Sequence, residues 1–182
     1  LKGTSPIDAD SFKEMSEQDD ILVIDTRTKE IYTNEGTVPG AWYIGLGGSF
    51  APWVGALISN INQKIIFIAE EGREHEVVTR FSRVGYDNIL GYLRGGIHSW
   101  KAAGHKVDQI GSISATEFAN RLKERTMQVS LDVRKESEYL SEHVVDVENF
   151  PLDDIHTNFA EINPDKEYFL HCASGYRSLI AA

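Results

Sequence analysis

One pattern occurs twice in this chain: a short apolar run that closes on Asp-x-Arg. It reads L-V-I-D-T-R over residues 22–27 and V-S-L-D-V-R over 129–134, an offset of 107. Two further stretches repeat in the same order. Residues 113–122 resemble 7–15, each a short helix behind a Ser or Asp cap. K-E-Y-F-L-H-C (166–172) restates K-I-I-F-I-A-E (64–70), an offset of 102. A period of about 100 residues with a small drift is that of one domain duplicated with loop deletions. The reading is two domains, 1–106 and 107–182, joined near residues 106–112.

The runs at 21–25 and 64–69 are apolar without alternation, as in strands of a parallel sheet buried on both faces. Around them the pattern gives a helix entered at Pro6 and running to Met15, capped by Asp8 or Asp10, with Phe12 and Met15 inward. A loop follows from Thr26 to a turn at 37–40, then a short strand within 41–46 and a helix near 53–61. After the second strand come an acidic loop at 70–73, a helix to about Val84, a turn and strand over 85–90, and a segment through Trp100 that stops at Gly104. Trp42, Trp53 and Trp100 are assigned to the core. Alternating strands and helices with short loops make an α/β fold, a mainly parallel sheet flanked by helices in each domain.

Composition narrows the function. The 182 residues are 41% hydrophobic and 25% charged, enough for ordinary globular cores. No run reaches the roughly 20 apolar residues that span a bilayer, so no membrane segment is expected. A net charge of −10 argues against broad nucleic-acid binding. A single cysteine cannot form an internal disulfide, which suits a reducing, cytoplasmic setting. The histidines at 75, 98, 105, 143, 156 and 171 lack metal-ligand spacing, so neither a metal nor a cofactor is expected.

That cysteine, Cys172, stands in F-L-H-C-A-S-G-Y-R-S (169–178). An isolated cysteine is ordinarily a buried structural residue. A core cysteine, however, needs neither Gly175 nor Arg177. The apolar run before it reads as a strand, the small residues as a tight loop, and the residues after Ser178 as a helix. Strand, loop and helix start together form a cradle of backbone N–H groups that favours an anion. A cysteine seated there reacts as thiolate, and Arg177 adds a planar fork of donors for an anionic substrate. Around it, Asp132 and Arg134 read as braces of the loop, His171 as structural, and His143 as packed beneath the loop.

Both halves resemble rhodanese domains, the α/β fold of sulfurtransferases. In the first half the resemblance rests on Asp25-Thr26-Arg27, V-P-G-A (38–41), and L-R-G-G-I (93–97) with Trp100 and Gly104. In the second it rests on Asp132-Val133-Arg134, His143-Val144, N-F-P-L (149–152) and the loop 172–178, with Asp146 and Val147 replacing the usual Gly-Ala. The resemblance implies that the first domain, with Glu70 at the nucleophile's place and a shorter loop, is inactive. It implies that Cys172 in the second carries a persulfide. Ala173, Ser174, Gly175, Tyr176 and Ser178 would bind the substrate, and Arg177 would hold the donor anion. The donor would be thiosulfate or a low-molecular-weight persulfide, the acceptor a thiol or cyanide. A cysteine phosphatase or arsenate reductase fits less well, because only four residues separate Cys172 from Arg177 and those families carry a longer loop.

The other reading is a sulfur carrier or regulatory module that does not turn over. Tandem rhodaneses with one silent domain occur behind metallo-β-lactamase-fold domains, which makes Leu1 to Ser5 an expected linker and an upstream fused domain or a homodimer the expected partner. Nothing after Gly175 matches residues 85–104, so the second domain is expected to be incomplete at its C-terminal side, with an open sheet edge.

Overall fold

The computed structural model describes residues 3–182, so the first two positions of the expected linker lie outside the described residues. The chain forms two compact units that meet at Ile110 and Gly111.

The first unit contains β1 (Pro6–Ile7), α1 (Ala9–Ser16), β2 (Ile21–Asp25), α2 (Lys29–Glu35), β3 (Trp42–Tyr43), α3 (Phe50–Leu57), β4 (Lys64–Ile68), α4 (Glu74–Arg83), β5 (Ile89–Leu93) and α5 (Gly96–Ala102). Its strands pair in the order β1-β5-β4-β2-β3, all parallel. The unbroken apolar run of β4 follows from its central place. Ile65, Ile66, Phe67 and Ile68 are all fully buried, so both faces of the strand must be apolar. On one side, Phe12 of α1 and Ile97 and Trp100 of α5 pack over Val23, Ile66 and Ile68.

Several boundaries differ from the sequence reading. Pro6 and Ile7 form a strand, and α1 starts after Asp8, whose side chain accepts from Ser11 N at 3.0 Å. The expected loop after Thr26 contains α2. Its Ile31, Thr33 and Asn34 are weak helix formers, but Thr28 caps it and buried Tyr32 packs on Tyr43 with ring centroids 4.8 Å apart. α3 begins at Phe50, and β5 lies at 89–93, later than expected. Trp53 and Trp100 are core residues, whereas Trp42 is 42% exposed because it points outward from the edge strand β3.

The second unit contains α6 (Ala115–Glu124), β6 (Val129–Asp132), α7 (Glu136–Ser141), β7 (Glu148–Asn149), α8 (Ile155–Asn158) between two short 3-10 turns, β8 (Tyr168–His171) and α9 (Tyr176–Ala181). Its parallel sheet has the order β7-β6-β8, so β6, β7 and β8 take the places of β2, β3 and β4. Among the described residues this sheet has no strand in the places of β5 and β1. Leu131, Val133, Val147, Leu152 and Leu179 form its buried apolar centre. Asp146 adopts φ +64° at the turn before β7, where the first unit has Gly40 at φ +76°. Aspartate tolerates the left-handed region better than most residues, so the replacement keeps the turn.

The repeated Asp-x-Arg builds the same knot in both units. Arg27 Nη2 bonds Asp25 Oδ2 at 2.6 Å and the Gly36 carbonyl at 2.7 Å. Arg134 Nη2 bonds Asp132 Oδ2 at 2.6 Å and the Glu142 carbonyl at 2.7 Å. Each arginine also donates its own backbone N–H to the same carboxylate. Two residues is the spacing that lets an aspartate at a strand end bond the backbone just beyond it. The arginine then ties that strand end to the close of the next helix. Among the described residues no helix is long and apolar enough to cross a membrane.

Candidate active site

β8 delivers Cys172 to a loop that turns at Gly175, whose φ of +84° would strain any residue with a side chain. The turn folds the following N–H groups back over the sulfur. Gly175 N lies 3.2 Å and Ser178 N 3.4 Å from Cys172 Sγ, and Ser178 Oγ is at 3.7 Å. Burial of the thiol opposes ionisation, but the N–H groups of Ser178, Ser174 and Gly175 and the Ser178 hydroxyl outweigh it. The thiol is therefore held below its ordinary value. Ala173, Ser174 and Gly175 are exposed, so the sulfur is cradled from within the loop and approachable from solvent.

Arg177 was expected to offer its fork to a donor. Instead its Nη1 and Nη2 bond Glu138 of α7, at 2.6 Å to Oε2 and 2.9 Å to Oε1. This pairing holds the Glu138 carboxyl down at about 2 despite some desolvation, with the Lys135 backbone N–H bonding the same side chain. Glu138 is the site residue that sequence reasoning missed. Its only local signal is a glutamate in the first turn of a short helix.

Asp132 is fully buried beneath the loop, bonded by Arg134, while Asn149 Nδ2 donates to the carbonyls of both residues at 2.9 and 3.0 Å. Burial alone would raise the Asp132 carboxyl, but the Arg134 bonds prevail and lower it. His171 lies opposite Asp132 in the β6–β8 register, its ring 5.4 Å from that of Phe118. His143 does not pack beneath the loop. It is exposed and stacked on Tyr139 at 4.0 Å, with Nδ1 against the Tyr139 carbonyl.

Strand register also corrects the counterpart of the nucleophile. Asp25 pairs with Ile68 as Asp132 pairs with His171, so Cys172 corresponds to Ala69 and Gly175 to Gly72, which has the same φ of +84°. Glu70 is one position further on, and the two loops reach their glycine in the same number of residues. The sequence repeat of 64–70 on 166–172 lies one residue off the structural register, because two apolar strands align almost equally well in neighbouring registers. Glu70 instead anchors its loop, accepting from Thr28 N at 3.2 Å and Arg73 Nη1 at 3.4 Å. Among the described residues no group of side chains could hold a metal ion.

The rhodanese-like domain family matches residues 8–103 and 114–182, and the chain belongs to that family. It is 33% identical over 89 residues to "Putative sulfur carrier protein YrkF" of Bacillus subtilis (strain 168), covering 49% of this chain and 46% of the relative. The chain thus spans less than half the length of the curated relative it matches. The crystal structure of the Alr3790 protein from Anabaena sp. is 18% identical with a TM-score of 0.50, covering 66% of this chain and 90% of that one. An anaerobic ergothioneine biosynthesis enzyme from Chlorobium limicola is also 18% identical with a TM-score of 0.50, covering 82% and 41%. At that identity these two share the fold.

Proposed function

We propose that the second unit is a sulfurtransferase in which Cys172 carries the transferred sulfur. The observation that carries the reading is the pair of N–H groups, Gly175 and Ser178, aimed at Sγ in a loop with four residues between Cys172 and Arg177. A ring of that size suits one added sulfur atom. Cys172 thiolate attacks the sulfane sulfur of a persulfide or thiosulfate. The donor's S–S bond breaks, and its electron pair leaves on the thiolate or sulfite. The outer sulfur of the Cys172 persulfide bears the negative charge and is held by the loop N–H groups. A thiolate or cyanide then attacks that sulfur, and the pair in the S–S bond returns to Cys172. Asp132, Arg134 and Asn149 hold the strand end from which the loop springs. The first unit, with Ala69 at the nucleophile's place, performs no transfer. A reducing compartment suits a cysteine kept as thiolate.

The test is intact mass after incubation with thiosulfate or glutathione persulfide, followed by cyanide. Gain of one sulfur, reversed by cyanide with release of thiocyanate and absent in Cys172→Ala, is the expected result. The likeness to a relative bearing the sulfur-carrier name favours a second reading, a module that loads sulfur but releases it only to a partner protein. Loading without release to small acceptors supports that reading, and absence of loading overturns both.

A further inference from the structure

The Arg177–Glu138 pair, unlike the Asp132–Arg134 knot, has no equivalent in the first unit. The register that matches Asp132 with Asp25 puts Ile31 in the place of Glu138, and the one that matches Gly175 with Gly72 puts Glu74 in the place of Arg177. The knot of aspartate and arginine is shared by both units and so serves the fold. The latch belongs only to the unit with the cysteine. Its geometry is two parallel bonds, Nη1 to Oε2 at 2.6 Å and Nη2 to Oε1 at 2.9 Å, with both side chains partly buried. Glu138 is also fixed from behind by the Lys135 backbone N–H at 3.2 Å. Close to the sulfur, then, the guanidinium charge is matched by a carboxylate, and the donors to Cys172 are neutral N–H groups and a hydroxyl.

We infer that Glu138 is a specificity-determining residue: by occupying the fork of Arg177 it denies the loop a free cation, and so favours sulfur donors that bring a single negative charge to the loop, such as persulfides, over the compact dianion of thiosulfate. Naming the donor rests on the sulfurtransferase reading, whereas the charge around Cys172 does not. Glu138 acts through Arg177 and touches no reacting atom, which makes it a positioning residue.

The test compares alkylation of Cys172 by iodoacetate, an anion, with alkylation by neutral iodoacetamide. Glu138→Gln keeps the side-chain shape and releases the Arg177 charge. It is expected to raise the iodoacetate-to-iodoacetamide rate ratio about tenfold, the effect of one cation at short range in a partly buried site. The double variant Glu138→Gln/Arg177→Gln is expected to return the ratio to the wild-type value. In Glu138→Gln the KM for thiosulfate loading should fall as the ratio rises, with the KM for persulfide loading falling less. A ratio that does not move in Glu138→Gln overturns the inference. Should that variant fail to fold, the unmodified chain decides. With Arg177 neutralised and the chain at −10, added salt leaves the ratio flat or raises it, whereas a ratio that falls with salt reveals a free cation and overturns the inference. A wild-type chain that takes sulfur from neither donor, yet shows the expected ratios, overturns the sulfurtransferase reading while supporting the role of Glu138.

Discussion

His171 faces Asp132 across the β6–β8 pairing, its Nε2 3.8 Å from Oδ2, at the register where the first unit sets Ile68 beside Asp25. The distance exceeds a hydrogen bond, and Nε2 has no partner among the described residues. A position that is purely apolar in one copy thus carries an unsatisfied ring nitrogen in the other, directly before the reactive cysteine.

Burial lowers the His171 pKa; Asp132 opposes that shift and Arg134 adds to it. The unfolded chain therefore binds a proton at higher pH than the folded one. Stability is complete above the ordinary value of 6.5 and declines as pH falls from there toward the folded value. Urea unfolding of His171→Ile should show a flatter stability profile than wild type between pH 6.5 and the carboxylate range near about 4. An unchanged slope in that window would show that the ring titrates freely.

Asp132→Asn removes the charge from a fully buried carboxylate that binds Arg134 through its backbone N–H, Nε and Nη2. Breaking this pair should destabilise the second unit by about 2–3 kcal/mol, measured by chemical denaturation. The Asp132 carboxyl titrates below its ordinary 3.8, so its contribution is present above that value and lost as pH falls through the folded one. The difference between wild type and Asp132→Asn should shrink in strong acid.

Ala69→Cys, combined with Cys172→Ser, places a thiol at the matching point of the first unit. No sulfur loading is expected. In that loop the Gly72 N–H, equivalent to the one aimed at Cys172, already donates to Glu74 Oε1 at 3.2 Å, and Glu70 adds a further carboxylate. The thiol should stay protonated at neutral pH, and its alkylation rate should rise only toward the ordinary thiol range near about 8.5. Rapid alkylation at neutral pH would show that the backbone turn alone activates a cysteine.

What could be read without coordinates were the features whose physics is local. The apolar runs declared buried parallel strands because both faces must be covered. Asp132-Val133-Arg134 carried its own bonds across two residues, and Gly175 marked the left-handed turn that bends N–H groups toward Cys172. The duplicated fold and the reactive cysteine followed from these. Helix α2 escaped because its propensity is weak and the packing of Tyr32 on Tyr43 sustains it.

The tertiary structure alone decided which distant side chains meet. Glu138 and Arg177 stand 39 residues apart, and only the folding of α7 against the loop turns an expected donor clamp into an internal ion pair. Register alone decided that Ala69, not Glu70, corresponds to Cys172, because two apolar strands can slide by one residue with little change in composition but with every side chain displaced. Spacing along the chain specifies bonds that close within a turn or a strand end. Contacts between elements depend on how the chain crosses, and that is settled by packing the whole core at once.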